Sequence, residues 1–245
     1  MRPATSMWTK AMNLIFKIIR HLTDIMAPRS CAVCDRRMSP DESAICARCD
    51  MRLPRTGHET DMTGNEMARM FWARMAVERA AAMWLYQPHS EVSAVIYRLK
   101  YGNRPEQGRQ MGIAAARELK AAGFFDGIDL IVPVPLAKAK MLQRGYNQSE
   151  EIARGVAAVT GLPVVTKAVA RIRETESQTS KTSVQRVENM EGAFRLMRPD
   201  MVAGRHVLII DDVVTTGSTV CACGKELMKA GGVRLSVMAL GFTHP

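Results

Sequence analysis

The run Val207-Leu-Ile-Ile-Asp211-Asp212-Val-Val-Thr215-Thr216-Gly217-Ser218-Thr219 decides how this chain is read. Four consecutive apolar residues suit a strand buried on both faces. Two carboxylates stand at its end, and a hydroxyl-rich turn with one glycine opens the next helix. Free N–H groups at a helix start, and the positive end of the helix dipole, favour an anion, and the Thr and Ser hydroxyls add donors around it. Gly217 allows a positive φ or a close approach of backbone to ligand. The carboxylates cannot hold that anion themselves, since like charges repel, so they face hydroxyls, a metal or developing positive charge. A ribose phosphate meets both demands. The competing reading, in which Asp211-Asp212 only caps a helix, accounts for a single Asp but not for the whole run. Neither G-x-x-x-x-G-K-[ST] nor G-x-G-x-x-G occurs, which argues against P-loop and dinucleotide-binding folds.

Outward from this run, apolar segments and helical patterns alternate. Strands are predicted over 77–86, 130–134, 206–212 and 235–240, and helices over 90–101, 106–121, 147–160 and 218–230, with 52–66 as a linker. Continuous apolar strands separated by helices predict an α/β fold: a parallel sheet covered on both faces, with ligands at the carboxyl ends of its strands.

Near the N-terminus, Cys31-Ala-Val-Cys34 and Cys46-Ala-Arg-Cys49 form two C-x-x-C pairs in a loop-rich stretch. Two such knuckles complete a closed tetrahedral zinc site, in which Zn²⁺ binding replaces the hydrophobic core that so short a segment lacks. Disulfides would need an oxidising compartment, for which the sequence shows no export signal, and a redox pair would be a single C-x-x-C at a strand-to-helix junction. Cys221 and Cys223 have no nearby partners to complete a ligand set and read as small packing residues.

Before the cysteines, Met7, Trp8, Ala11, Leu14, Ile15, Ile18, Ile19, Leu22 and Ile25 recur at helical spacing, with Lys10, Lys17 and Arg20 off that face. Two readings stay open, a helix docked on the following domain, which such stripes favour, and a membrane-surface helix with basic flanks. The domain plan is thus an amphipathic helix over 1–27, a zinc module over 28–56 and an α/β domain over 70–245. No stretch is long and apolar enough to span a bilayer, so the expected place is the cytoplasm, with any membrane association made through partners.

With 245 residues, 47% hydrophobic and 24% charged, the chain can bury a full core and is neither disordered nor a stapled mini-protein. Its 34 Lys+Arg against 24 Asp+Glu give a net charge of +10, which favours polyanion or phosphate partners, although the charges are spread along the chain.

The acidic strand end and its Thr/Gly/Ser loop resemble the signature of type I phosphoribosyltransferases. That resemblance implies that Asp211 and Asp212 contact the ribose hydroxyls of 5-phosphoribosyl-1-diphosphate, and that Thr215, Thr216, Gly217, Ser218 and Thr219 cradle its 5-phosphate. A wider set of residues is similar to the ComF family, which joins a four-cysteine zinc module to a phosphoribosyltransferase-like domain. These are Val132-Pro-Val-Pro-Leu136, Arg144-Gly-Tyr-Asn-Gln148, Arg171, Arg173, Thr175, Gln178, Arg186, Asn189 and Phe194. The ComF resemblance implies a setting in DNA uptake during bacterial transformation, with single-stranded DNA and competence proteins as partners.

Around the loop that leaves strand 130–134, Lys138, Lys140 and Arg144 supply positive charge for a diphosphate. Asn147, with Glu150 three residues on, is a helix-start signature, and cap and ligand roles stay equally open for it. The polar stretch 171–186, which carries Arg171, Arg173, Lys181 and Arg186, suits a mobile lid over an anionic substrate better than a solvated loop. Chemistry in such a site would pass through loss of diphosphate from the anomeric carbon, with Mg²⁺ and lid cations stabilising the charge on the leaving group. The sequence specifies no acceptor. A DNA-handling role and an active phosphoribosyltransferase of nucleotide metabolism are therefore both carried forward. With 5% aromatic residues, an extensive base-stacking platform is not expected, and DNA contacts would run through phosphates.

Overall fold

The four apolar runs pair side by side in the computed structural model, which describes residues 30–39, 42, 44–173 and 192–244. The strands are β1 (Arg79–Leu85), β2 (Leu130–Pro133), β3 (Val169–Arg171), β4 (Phe194–Leu196), β5 (His206–Val214) and β6 (Arg234–Phe242). β1, β6, β5 and β2 form one sheet in that order, every pair parallel, while β3 and β4 form a separate antiparallel pair. Parallel pairing follows from sequence: β2 is buried at every position and β6 at all but its first residue, so neither strand has a polar face to give to water.

The helices are α1 (Ala47–Asp50), α2 (Glu66–Phe71), α3 (Glu91–Tyr101), α4 (Pro105–Ala121), α5 (Lys138–Arg144), α6 (Gln148–Thr160) and α7 (Ser218–Met228). On one face of the sheet, Met67, Ala68 and Phe71 of α2 join Val220, Cys221, Cys223 and Leu227 of α7 over strand residues such as Val207, Ile209 and Val237. Cys221 and Cys223 are thus packing residues, and burial pushes both thiols above their ordinary range. α4 and α6 pack together at unusually short range. A Cβ on Gly112 would lie 2.2 Å from the Ile152 carbonyl oxygen, and one on Gly155 2.1 Å from that of Arg109. This contact fixes where α6 starts, and its start borders the site described below.

Four features depart from the sequence expectations. The stretch 52–66 is no linker over most of its length. The amides of Leu85 and Ala80 donate to the carbonyls of Pro54 and Met62, and Thr56 N donates to Met83 O, so the segment runs along the outer edge of β1. His58 Nδ1 accepts from Ala82 N at 3.2 Å, and Asn65 donates to Ala80 O while capping α2. Backbone pairing needs no apolar periodicity, which is why composition alone read as linker. α5 and the β3–β4 pair are too short to carry a sequence period and stand outside the expected elements. The acidic strand runs on to Val214, two residues past its expected end.

The chain divides into two compact units, one ending at Arg52 and the other starting at Leu53. In the first, Cys31, Met38, Cys46 and Cys49 are buried with Val33 and Ile45 against them. Glu42 ties its loops, accepting from Ser39 N, Ala47 N and the Arg36 guanidinium. The predicted helix over 1–27 and most of the lid, with Lys181 and Arg186, lie outside the described residues. Among the described residues no helix is long and apolar enough to cross a membrane.

Candidate functional site

In the parallel sheet, β5 and β2 end side by side, and the loops that leave them enclose a cavity of about 330 Å³. Asp211, Asp212, Thr215 and Thr219 line one side of it, and Lys140, Arg144, Arg171 and Lys100 the others. Position at the carboxyl ends of parallel strands, where loops converge over a rigid sheet, is where this fold class holds ligands.

The two acids have different partners. Asp211 Oδ1 accepts from Ser149 Oγ at 3.0 Å and from the Asp212 amide at 2.9 Å. Burial, and then the charge of Asp212, pushes the Asp211 carboxyl up to about 7. Asp212 Oδ2 instead faces the Lys100 ammonium at 3.1 Å. Burial works against the charge on Lys100, but the neighbouring Asp212 and Asp211 carboxylates outweigh it and hold the ammonium above its ordinary range.

The loop after β5 is built around Gly217, whose φ of 68° places it in the left-handed region just before α7. A Cβ there would come within 3.0 Å of Met70 Sδ and Phe71 Cε1, so glycine is required on two counts. α7 starts without a side-chain cap, and the amides of Thr216, Gly217, Ser218 and Thr219 reach no acceptor among the described residues. Buried or half-buried amides without partners are costly, and at the start of an eleven-residue helix they form a ready seat for an anion. Thr216 and Ser218 do not line the cavity. Their hydroxyls bond each other at 2.9 Å, while Arg74 donates to Thr216 O and to Ser218 Oγ. Of the five loop residues singled out by sequence, Thr215 and Thr219 line the cavity, and the other three shape the loop.

The opposite wall is cationic. Arg144 donates to Gln148 Oε1 at 2.8 Å and lies 5.1 Å from the centre of the Tyr101 ring, while its buried Nε has no partner. Lys140 is held below its ordinary range by burial and by the nearby charges of Arg171, Arg144 and Lys100. Arg171 lies 5.5 Å from the centre of the Phe194 ring, where β3 pairs with β4. Cations crowded this closely, with one N–H left unpaired, are an arrangement completed by an anion.

Lys138 and Arg173 are exposed and do not line the cavity. Asn147 caps α6, its Oδ1 accepting from Ser149 N at 3.1 Å while its Nδ2 donates to Val134 O at 3.0 Å, and it also lines the cavity, so the cap does not exclude a ligand role. Lys100, Ser149, Tyr86 and Arg74 escaped sequence reasoning. Lys100 sits in the last turn of α3 among apolar neighbours, and only the fold brings it to Asp212.

In the N-terminal unit, the sulfurs of Cys31, Cys34, Cys46 and Cys49 all lie within 4.8 Å of one another. A tetrahedral ion with bonds of about 2.3 Å needs sulfurs about 3.8 Å apart, and Cys34 and Cys46 stand at 3.9 Å. Burial holds the Cys31 thiol above its ordinary range, and the amides of Cys46 and Val33, which donate to its Sγ at 3.3 and 3.4 Å, offset part of that cost. Four soft donors around one point could hold a metal ion, with no position left open for chemistry.

A family model described as phosphoribosyl transferase domain matches residues 141–240. The DNA utilization protein YhgH of Escherichia coli (strain K12) is 31% identical over 213 residues, covering 86% of this chain and 88% of that protein. Competence protein F of Haemophilus influenzae is 29% identical over 153 residues, 61% of this chain and 67% of that protein. Competence protein ComFC of Streptococcus pneumoniae is 23% identical over 208 residues, 82% and 88% of the two chains.

Proposed function

Because the chain belongs to the ComF family, and its larger unit is a type I phosphoribosyltransferase-like domain, we propose that the cavity at the end of β5 binds phosphoribosyl diphosphate or a ribose 5-phosphate, in the service of DNA utilization or uptake. One observation carries the ligand reading: Thr215 and Thr219, which flank the loop of unpartnered amides at the start of α7, line the same cavity as the two carboxylates. The amides and the Thr215 and Thr219 hydroxyls suit the 5-phosphate. Asp211 and Asp212 suit the ribose diol, and Lys140, Arg144 and Arg171 suit the diphosphate. Mg²⁺, when present, would travel on the diphosphate, since the two carboxylates are engaged by Ser149 and Lys100 and make no octahedral cage.

The four cysteines hold structural Zn²⁺ in this reading, and DNA utilization and competence enter from the names of the relatives. A DNA contact would be made through phosphates by a protein of net charge +10 and would weaken as salt rises. A second reading, turnover by a phosphoribosyltransferase with its own acceptor, is favoured by Asp211, whose carboxyl at about 7 can exchange a proton near neutral pH.

The test is calorimetric titration of phosphoribosyl diphosphate into wild type and into Asp211→Asn/Asp212→Asn. Binding by wild type and its loss in the double variant supports the site, whereas equal binding would move the ligand elsewhere. Titration of labelled single-stranded DNA at two salt concentrations tests the nucleic-acid part, and binding indifferent to salt, or none, would remove it.

A further inference from the structure

An acidic pair that only had to hold a diol would leave its carboxylates open to the cavity, yet Asp212 already has a built-in cation. Lys100 lines the cavity from the last turn of α3 and reaches Asp212 Oδ2 at 3.1 Å. An ammonium has three protons to donate, and this contact uses one, so two remain for whatever enters. Asp211 has its own donors, Ser149 Oγ at 3.0 Å and the Asp212 amide at 2.9 Å.

The same donor set fits a small divalent ion poorly. Mg²⁺ asks for near-octahedral oxygen donors and keeps much of its water, and an ammonium 3.1 Å from one of only two carboxylates both repels it and takes a donor atom away. The cavity does not lack positive charge without it. Lys100, Lys140, Arg144 and Arg171 line it against two carboxylates, and Arg144 Nε is unpaired. In a cavity of about 330 Å³ such charges are poorly screened, and a polyphosphate is drawn in by the protein's own cations.

We propose that Lys100 is the resident counter-ion of the site, neutralising Asp212 and donating its remaining N–H groups to the ligand's diphosphate, so that phosphoribosyl diphosphate binds without a divalent cation. This rests on the ligand reading above and sharpens it: the ammonium does the work that a metal bridge between sugar and diphosphate would otherwise do. Lys100 is then a specificity residue as well. A ribose 5-phosphate, with no diphosphate to meet the ammonium, gains little from it.

The experiment titrates phosphoribosyl diphosphate into the full chain, in buffer cleared of divalent ions before the protein is added, so that the cysteine site keeps its metal, and again in excess Mg²⁺. Wild type is expected to bind within about threefold in the two buffers. Lys100→Gln should bind at least tenfold more weakly without Mg²⁺ and recover most of that loss with it, while Lys100→Arg stays close to wild type. Wild type that binds only with Mg²⁺ would overturn the proposal whether or not the variants fold. A Lys100→Gln protein as indifferent to Mg²⁺ as wild type would overturn it as well. Wild type that binds in neither buffer would instead remove the ligand, and with it the premise. Ribose 5-phosphate, as a third ligand, should lose less than threefold on Lys100→Gln, and an equal loss for both ligands would assign Lys100 to holding up the site rather than to the diphosphate.

Discussion

The cysteine unit draws four sulfurs within 4.8 Å from residues 31–49, whereas the cavity at the end of β5 takes its charged groups from α3, α5, β3 and β5, over more than a hundred residues of chain. In the first, buried apolar packing is little more than Met38 and the cysteines themselves. In the second, the sheet places its acids over a core of fully buried residues such as Ile209, Ile210 and Val237. A local site can be written into a spacing, and on the zinc reading it relies on its ion for stability. A site assembled by the fold stands without a ligand, and the spacing of any one segment reveals only part of it.

On the reading that the four cysteines hold zinc, removing the metal gives the largest effect and tests this contrast directly. Structural zinc contributes about 10–16 kcal/mol of apparent binding energy in small cysteine modules, far more than a core of this size. A strong chelator, or Cys31→Ser, should abolish amide-exchange protection between Cys31 and Asp50, while protection in β5 persists. Purified protein should carry about one zinc per chain. Protection in the cysteine unit that survived metal loss would show that it folds on its own packing and would erase the distinction.

Next in size comes Gly217→Ala, aimed at the loop that joins core to cavity. A left-handed φ costs a side chain about 1–2 kcal/mol, and the new methyl would meet Met70 and Phe71 at 3.0 Å. A fall in Tm of about 3–8 °C is expected in thermal melts, with at least a tenfold loss of phosphoribosyl diphosphate affinity in calorimetry. A variant with wild-type affinity would mean that the amides after β5 do not hold the phosphate.

What sequence could and could not reveal follows the same division. The four clustered cysteines, the strand that carries Asp211 and Asp212, and the glycine turn lie in short stretches of chain, and their grouping is readable from residue type and spacing. Lys100 is not readable. In α3 it is one more basic residue near a helix C-terminus, where the dipole alone would explain it. Ser149 reads as the second residue of a helix, and Arg74 as a residue in a turn. Each acquires a role only when α6 is seated against α4, or the segment after α2 against the α7 loop. The turn hydroxyls differ among themselves in a way that spacing does not show. Spacing treats Thr216 and Ser218 as equivalent to Thr215 and Thr219, but the first two hydroxyls bond each other, with Arg74 on the Thr216 carbonyl and the Ser218 hydroxyl, while Thr215 and Thr219 line the cavity.

Arg74→Ala probes that hidden support with a smaller expected effect. It removes two hydrogen bonds to the loop, worth about 1 kcal/mol each or less, without touching the cavity wall. Phosphoribosyl diphosphate affinity should fall about five- to tenfold, and Tm by about 3–6 °C. A large Tm loss with unchanged affinity would make Arg74 a structural clamp with no part in shaping the phosphate seat.

The smallest effect, and the one that best separates function from stability, belongs to Asp211. Burial and the neighbouring Asp212 charge lift its carboxyl to about 7 from an ordinary value of 3.8. The folded protein therefore holds a proton that the unfolded chain releases near pH 4, and stability is lost as pH rises from there through about 7, above which the full penalty remains. Asp211→Asn cannot ionise and escapes it. The variant's Tm should thus gain on wild type between pH 5 and pH 8, by about 2–4 °C for a net effect of about 1 kcal/mol after allowing for the carboxylate's partial exposure. The same substitution should weaken the ligand, because an amide is a poorer acceptor for a sugar hydroxyl than a carboxylate. A residue whose replacement stabilises the fold at pH 8 and weakens the ligand there is one kept for binding. If the difference in Tm between the two proteins did not change with pH, Asp211 would be an ordinary carboxylate, and the case for a strained acid in this cavity would fall.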